Sequence, residues 1–350
     1  MKPFLFAGLL VVLPWVAPVT AQPHPLPEAT AEGRIVVIGD STVASYGVSH
    51  YPQKGWGQEL QTFIDDSKFT VINRARGGRS SKSFIVEGLW DKVKAELKPG
   101  DHLLIQWGHN DRDFTKPERH TTTDQYEGYL TRYVTEARTL GAVPVFVTPM
   151  VMNAWRGDTL RNVFREPGND YVGEMKRTAS HMNVPLIDLN ARSHAYFSTL
   201  DARAVARLYF HTYAAGEYPN FPDGHEDGTH FQEMGALLMA MFVAEDFRDL
   251  EEDPRMTALA RSLKPLQSVV IEANIPNAGT VTSGIRLPLG ASFTLRALPN
   301  AGYRFVQWQS DSLKQPEAAN PATMVITPGI HRYTACFEAS KPDTLLPSTQ

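Results

Sequence analysis

The feature that most constrains the fold is an alternation of short apolar runs with longer amphipathic stretches between residues 34 and 249. The apolar runs are almost continuously hydrophobic, as is typical of parallel strands covered by helices on both faces. We predict strands at Arg34–Gly39, Thr70–Asn73, His102–Trp107, Val143–Thr148 and Val184–Asp188. We predict helices at Gly57–Asp66, Leu89–Leu97, Asp124–Leu140, Asp170–His181 and Gln232–Arg248. This alternation predicts an α/β fold, a three-layer α/β/α sandwich on a parallel sheet.

The pattern changes after Gln267. Residues 292–298 alternate apolar and polar side chains with a period of two, and Pro299–Gly302 is a turn sequence. Further strands are predicted at Tyr303–Trp308 and Tyr333–Glu338. We therefore expect an α/β domain over residues 32–250, a charged linker over 251–267, a small all-β domain over 268–340 and a flexible tail over 341–350.

The first residues have the pattern of a secretory signal. Lys2 precedes the mostly apolar run Phe4–Val16, and small residues lead up to Ala21. An uncleaved membrane anchor is the alternative, but the run is short and Pro14 and Pro18 interrupt it. We expect a signal peptide over residues 1–21, cleaved after Ala21. It would place the protein in the periplasm or outside the cell, without stable membrane insertion.

Charge and cysteine content exclude two classes of protein. The net charge of −4 and the sequence pI of about 6.3 give no basic face for a nucleic acid. Cys336 is the only cysteine, so an internal disulfide cannot form. It lies in an alternating strand pattern, which favours a role in the core over a role in catalysis.

Ser41 follows the first predicted strand directly, in the sequence Gly39-Asp40-Ser41. Ligands of parallel α/β sheets bind at the carboxyl ends of the strands, which is where this serine is expected. Asp40 and Ser41 could instead cap a following helix. The tripeptide alone does not separate the two interpretations.

Two more polar loops leave the same edge of the predicted sheet. The second strand continues into Arg74–Ser80, which contains Gly77 and Gly78, and the third continues into Gly108–Asp111. Glycine lets a backbone N–H approach a ligand closely, and the Asn110 amide could donate to a developing oxyanion. A glycine turn and an Asx turn are the structural alternatives. The shared position with Ser41 favours catalysis.

Asp227 and His230 lie three residues apart, just before the last predicted helix of the α/β domain. In a tight turn this spacing lets the carboxylate hydrogen-bond one imidazole nitrogen while the other faces a serine. Serine needs a base to become a good nucleophile, and an aspartate fixes the tautomer of that base. A cap on the following helix is the alternative.

The segment Asp223–Gly228 imitates the start of a calcium loop. The third position is His225, and the twelfth is Met234 where a bidentate glutamate is required, so an EF-hand is excluded. Zinc binding through His225 and His230 stays open but lacks an evident third ligand. We expect a serine mechanism without a metal or any other cofactor.

Together the polar blocks resemble the SGNH (GDSL) hydrolase superfamily, and within it the rhamnogalacturonan acetylesterase family. The resembling segments are Gly39–Thr42, Gly55–Gly57, Asn73–Ser80, Gly108–Asp111 and Asp227–Phe231. The resemblance implies an SGNH, flavodoxin-like sandwich with Ser41 as nucleophile, His230 as base and Asp227 as its orienting partner. It also implies an oxyanion hole formed by the N–H groups of Ser41 and Gly78 and by the Asn110 side chain.

The resemblance also implies a function. We expect a secreted serine esterase that removes O-acetyl groups from plant pectin, with rhamnogalacturonan as the polymer, through an acyl-enzyme. Another short-chain SGNH esterase or lipase is one alternative, and a non-catalytic glycan-binding or adhesion protein is another. Residues 268–338 are similar to bacterial β-repeat modules, and we expect them to bind a glycan or another protein.

Substrate contacts are expected from the loops around the predicted cleft. Aromatic faces suit stacking on sugar rings, and arginines suit uronate carboxylates. The long insert Tyr196–Glu226 is expected to shape this cleft. The residues predicted to contact the substrate are Trp107, Trp155, Arg156, Tyr209 and His211, with Arg161 and Arg165 as further cations.

Overall fold

The computed structural model describes residues 33–282, 284–329 and 331–340, and the predicted signal peptide and C-terminal tail lie outside them. The strands are β1 (Gly33–Gly39), β2 (Gln53–Lys54), β3 (Phe69–Asn73), β4 (His102–Gln106), β5 (Val143–Val147), β6 (Trp155–Arg156), β7 (Thr159–Leu160), β8 (Leu186–Ile187), β9 (Phe231–Gln232), β10 (Gln267–Ala273), β11 (Gly279–Val281), β12 (Ile285–Leu287), β13 (Ser292–Leu295), β14 (Ala297–Pro299), β15 (Tyr303–Gln309), β16 (Ala322–Val325) and β17 (His331–Ala339). The helices are α1 (Trp56–Glu59), α2 (Ser81–Val86), α3 (Leu89–Glu96), α4 (Thr123–Thr139), α5 (Tyr171–Met182), α6 (Leu189–Phe197), α7 (Ala202–Tyr209), α8 (Glu233–Asp249) and α9 (Thr257–Ala260), with short 3₁₀ turns at Val48–His50 and Leu60–Phe63.

Five strands form a parallel sheet in the order β3-β1-β4-β5-β8. Neighbouring side chains of β1 belong to opposite faces: Val37 packs in one hydrophobic cluster and Val36 in the other. Helices α1, α6, α7 and α8 contribute to the first cluster, and α2 to α5 to the second. This arrangement confirms the predicted α/β sandwich. The edge strand β8 has only two residues, fewer than predicted.

The segment between the sheet domain and the β module packs against the sheet domain. Met256 and Leu259 are fully buried in the cluster that contains α8. The backbone of Asp65 donates to the Ser262 carbonyl at 2.8 Å, and the backbone of Lys264 donates to the Phe63 carbonyl at 2.9 Å. The segment that leads into the β module is therefore fixed on the α/β domain by burial and by backbone hydrogen bonds.

The C-terminal region is mostly β-structure, as predicted. A four-stranded sheet has the order β12-β10-β17-β15, and the pairs β11–β14 and β13–β16 accompany it. Leu237 of α8 and Phe293 of β13 belong to the same hydrophobic cluster, so the β module shares a core with the α/β domain. Among the residues described, no helix combines the length and the apolarity that a membrane span requires.

Candidate active site

The loop after β1 holds Ser41 at the carboxyl edge of the sheet. Asp40 is fully buried and accepts hydrogen bonds from the backbone N–H of Thr42 at 2.9 Å and from its hydroxyl at 2.8 Å. The Tyr46 hydroxyl donates to the Ser41 carbonyl at 2.8 Å. These hydrogen bonds around Ser41 fix the backbone that carries its hydroxyl.

The loop after β3 approaches Ser41 through two glycines. A Cβ atom on Gly77 would lie 3.7 Å from the Cβ of Ser41. Gly78 has a φ of +75°, a left-handed conformation that favours glycine. Helix α2 follows, and Ser80 caps it by accepting from the Ser83 N–H at 3.1 Å. The cap fixes where the glycine turn ends, so its N–H groups have a defined position beside Ser41.

The loop after β4 is hydrogen-bonded to both other loops. The Asn110 side chain donates to the Arg79 carbonyl at 2.8 Å, and Nδ1 of His109 lies 3.1 Å from Oδ2 of Asp40. An amide has two N–H groups, so Asn110 keeps one for another acceptor. Burial opposes ionisation of Asp40, but the charge and hydrogen bond of His109 and the bonds from Thr42 hold its pKa below the usual range.

Asp227 and His230 form a short hydrogen-bonded pair. Oδ2 of Asp227 lies 2.6 Å from Nδ1 of His230, and Oδ1 accepts the backbone N–H groups of Thr229 at 2.7 Å and His230 at 3.1 Å. Burial opposes ionisation of this carboxyl, but these bonds and the charge of His230 lower the pKa of Asp227 far below its usual range. The carboxylate occupies Nδ1, so Nε2 is the nitrogen left for proton transfer.

One cavity of about 390 Å³ brings these loops together. Ser41, Gly78, Asn110 and His230 all line it, and Asp227 is joined to it through His230. Its lining residues are Ser41, Gly78, His109, Asn110, Arg112, Asp113, Arg119, Met152, Thr229 and His230. Residues from four separate parts of the sequence therefore line one cavity, three of them in loops that follow β1, β3 and β4.

Two residues predicted to contact the substrate lie in the core instead. Trp107 is fully buried, with its ring 5.2 Å from that of Phe84, so it cannot reach a polysaccharide. Tyr209 is also fully buried and packs against Phe197 at the end of α7. We correct both predictions: the aromatic rings fill the two hydrophobic clusters.

The other predicted contacts lie outside the residues that line the cavity. Trp155 is half-buried and donates from Nε1 to the Asn153 side chain at 2.6 Å, while Arg156 beside it is exposed. Arg161 is ion-paired with Glu166. Arg165 pairs with Asp170 at 3.1 Å. His211 is buried. Substrate contact by Trp155, Arg156, Arg161 and Arg165 remains a prediction, whereas the predicted contact by His211 is corrected because its side chain is buried.

Two cations that the sequence pattern did not predict line the cavity. Arg112 packs with its guanidinium 5.8 Å from the Phe164 ring centre, and it has no carboxylate partner in the described part of the chain. Arg119 pairs with Asp113 at 2.8 Å. The sequence contained an indication of both, because Arg112 and Arg119 lie between Asn110 and the predicted helix that begins at Asp124.

One set of potential metal ligands includes Asp227, the residue that binds His230 of the cavity. His211, His225 and Asp227 have ligand atoms within 4.8 Å of one another. This set differs from the pair His225 and His230 considered from the sequence, since His230 uses Nδ1 to bind Asp227. The sequence did not indicate His211 as a partner because it lies 14 residues before His225.

The fold and this arrangement of serine, asparagine and aspartate-bound histidine are those of a hydrolase of the α/β sandwich class. Residues 37–236 match the model of the GDSL-like lipase/acylhydrolase family, and the chain belongs to that family. Residues 269–341 match the divergent InlB B-repeat domain. The resemblance predicted from the sequence is confirmed in both parts of the chain.

Relatives with similar sequences carry a more specific name. A Bacillus subtilis protein, the probable rhamnogalacturonan acetylesterase YesY, is 39% identical over 62% of this chain and 93% of its own length. The rhamnogalacturonan acetylesterase RhgT of the same organism is 36% identical over 62% of this chain and 90% of its own length. The crystal structure of B. subtilis YxiM matches with a TM-score of 0.52 and 25% identity, covering 64% of this chain and 58% of that one.

Proposed function

We propose that this protein is a secreted serine esterase that removes O-acetyl groups from acetylated rhamnogalacturonan. The observation that carries the proposal is the cavity lined by Ser41, Gly78, Asn110 and His230, with Asp227 bound to the histidine. Relatives named rhamnogalacturonan acetylesterases align along almost their whole length, which supports the choice of substrate.

In the first step the Ser41 hydroxyl attacks the acetyl carbonyl and Nε2 of His230 takes its proton. Asp227 holds Nδ1 and stabilises the imidazolium that forms, without taking the proton itself. The 2.6 Å bond to Asp227 supports this division of roles because it fixes both the tautomer and the ring orientation. The protonated histidine then donates its proton to the sugar oxygen as the bond from this oxygen to the carbonyl carbon breaks, so the sugar leaves with a free hydroxyl and the acetyl group stays on Ser41.

The carbonyl oxygen becomes negative during the attack and requires donors that are already in place. We assign this role to the N–H groups of Ser41 and Gly78 and to the free amide N–H of Asn110. The hydrogen bond from Asn110 to the Arg79 carbonyl supports the assignment, because it orients the amide before substrate binds. Water activated by His230 then hydrolyses the acetyl-enzyme and releases acetate.

The cavity lining favours an acidic sugar polymer over a long acyl chain. Arg112 and Arg119 line it, and Arg112 has no carboxylate partner among the described residues. A guanidinium without a carboxylate partner can bind a galacturonate carboxylate, which neutral xylan lacks. A lipase would need an extended apolar surface, whereas Met152 is the one aliphatic side chain in this lining. A purely glycan-binding role would not explain the hydrogen-bonded Asp227–His230 pair.

The test compares acetate release from acetylated rhamnogalacturonan and from acetylated xylan at matched acetyl content and at two salt concentrations. We expect the acidic polymer to react faster, with a preference that shrinks as salt rises. Arg112→Gln should reduce that preference and leave p-nitrophenyl acetate hydrolysis nearly unchanged. Arg261→Gln is the control, because Arg261 is exposed, pairs with Glu251 and does not line the cavity.

A faster reaction on xylan, or a preference for the acidic polymer that is insensitive to salt, would contradict the proposed substrate. An Arg112→Gln protein as selective as the control would remove Arg112 from substrate recognition.

Secretion is tested on the protein itself. Expression of the full chain in a Gram-negative host, followed by N-terminal sequencing of the exported protein, should give a start at Gln22. A protein that stays in the cytoplasm with Met1 intact would contradict the signal peptide.

A further inference from the structure

A second group of polar side chains lies next to the candidate catalytic histidine and shares Asp227 with it. Asp227, His211 and His225, which we call the His211 cluster, place one potential metal-binding atom each within 4.8 Å of the others. Nε2 of His225 lies 3.9 Å from Oδ2 of Asp227. The rings of His211 and His225 are 4.4 Å apart between centres. Two imidazoles and one carboxylate thus lie close enough together to share one ion.

The state of His211 points to a ligand. Its exposed fraction is 2%, and neither ring nitrogen has a hydrogen-bond partner within the described residues. A buried polar group without a partner costs folding free energy, so such groups normally bind something. The aromatic rings of Tyr213 and Phe221 pack against its ring edge-on and supply no acceptor for it.

The three side chains also have the chemistry of a metal site. Two imidazoles and one carboxylate form a donor set that suits Zn²⁺, with water in the fourth position.

We propose that the His211 cluster binds a single Zn²⁺ ion and that this ion inhibits the enzyme. Zinc–nitrogen bonds are about 2.0–2.1 Å long, so the ligand atoms must move closer together than they stand here. His225 can supply this movement, since 36% of its side chain is exposed. His211 is held in place by its packing against Tyr213 and Phe221.

Inhibition follows from the identity of the carboxylate oxygen. Oδ2 of Asp227 is the atom nearest to His225 and also the atom that binds Nδ1 of His230. Oδ1 cannot replace it, because it already accepts two backbone N–H groups. Zinc on Oδ2 neutralises the carboxylate and competes with His230, so the base loses its orienting partner. This consequence rests on the proposed function, whereas zinc binding does not.

Binding is measured on the chelator-treated full-length protein by competition with a chromogenic zinc indicator. We expect one equivalent of Zn²⁺ to bind to wild type, with an X-ray absorption spectrum that contains histidine scattering. His225→Gln should weaken binding at least about tenfold, as expected for loss of a ligand. Ser41→Ala and His181→Gln should bind like wild type, since His181 is an exposed histidine outside the cluster.

Activity toward p-nitrophenyl acetate is measured in the same samples. One equivalent of Zn²⁺ should lower wild-type turnover at least about tenfold, EDTA should restore it, and His225→Gln should stay active. Wild type that binds no stoichiometric zinc, or His225→Gln that binds as tightly as wild type, overturns the site. Zinc that binds there without inhibition overturns the coupling to His230. Zinc binding by a protein that never hydrolyses the ester supports the site and contradicts the proposed function.

Discussion

Arg296 of the C-terminal module donates from Nη2 to the hydroxyl of Tyr218 at 2.6 Å. Its other terminal nitrogen bonds Glu217 at 2.9 Å, and only 4% of the Arg296 side chain is exposed. Tyr218 and Glu217 belong to the long insert that leads to Asp227 and His230. The β module therefore contacts the segment that carries the candidate base.

Arg296→Met should destabilise the protein by about 3 kcal/mol, because a buried guanidinium loses its hydrogen bonds to Tyr218 and Glu217. The measurement is urea unfolding followed by fluorescence. Arg304→Met is the matched control in the same module: its ion pair with Glu338 is largely exposed, and its loss should cost less than about 1 kcal/mol. Equal effects of the two substitutions would contradict a structural role for the buried contact.

Asn110→Ala should lower kcat about a hundredfold with little change in KM. The amide is expected to act on the oxyanion of the transition state rather than on the bound ester. Steady-state kinetics on p-nitrophenyl acetate measures both constants, and Asn169→Ala, an exposed asparagine outside the cavity, controls for general effects. An effect confined to KM would make Asn110 a substrate-binding residue.

The activity should fall on acidification, because protonation removes His230 as a base. Asp227 does not cause this loss, since its lowered pKa keeps it ionised throughout the range. Asp227→Asn should reduce turnover less than His230→Ala does. A wild-type rate that stays flat through the range where histidines titrate would contradict a histidine base.

Removing divalent metals should not reduce activity, because the proposed steps use only protein side chains and water. Dialysis against EDTA followed by the acetyl-ester assay tests this, with a mock dialysis as control. An unchanged or higher rate agrees with the proposal. Complete loss of activity that zinc or calcium restores would mean that a metal takes part in the reaction.

The parallel sheet could be predicted because its strands are nearly continuous apolar runs between amphipathic helices. Helix α2 was missed: it has six residues, and its cap uses Ser80 with Ser83 rather than the more recognisable serine–glutamate pair. The expected strand over 292–298 is divided into β13 and β14, which pair with different partners on either side of Arg296. A local alternation cannot reveal that the chain changes partners within it.

The candidate site could be predicted where chemistry and strand position agree. Ser41 and Asn110 follow neighbouring strands of the parallel sheet, and His230 lines the same cavity from the loop before β9. The prediction that Trp107 contacts the substrate was wrong because an aromatic residue after a strand can face either the substrate or the core. A signal was available: Trp107 continues the alternation of Leu103 and Ile105, and all three lie in the same hydrophobic cluster.

Contacts across the insert, such as those of Arg296, depend on tertiary packing that no local pattern contains.

The central claim is that Ser41 carries the acetyl group during turnover. The most direct measurement is rapid quenching of the reaction with p-nitrophenyl acetate, followed by intact-protein and peptide mass spectrometry, for wild type and Ser41→Ala. We predict an added acetyl group on the peptide that contains Ser41 in wild type. Ser41→Ala should show no such adduct, no turnover and an unchanged melting temperature. Turnover by Ser41→Ala within tenfold of wild type, or an adduct on another residue, would contradict the account.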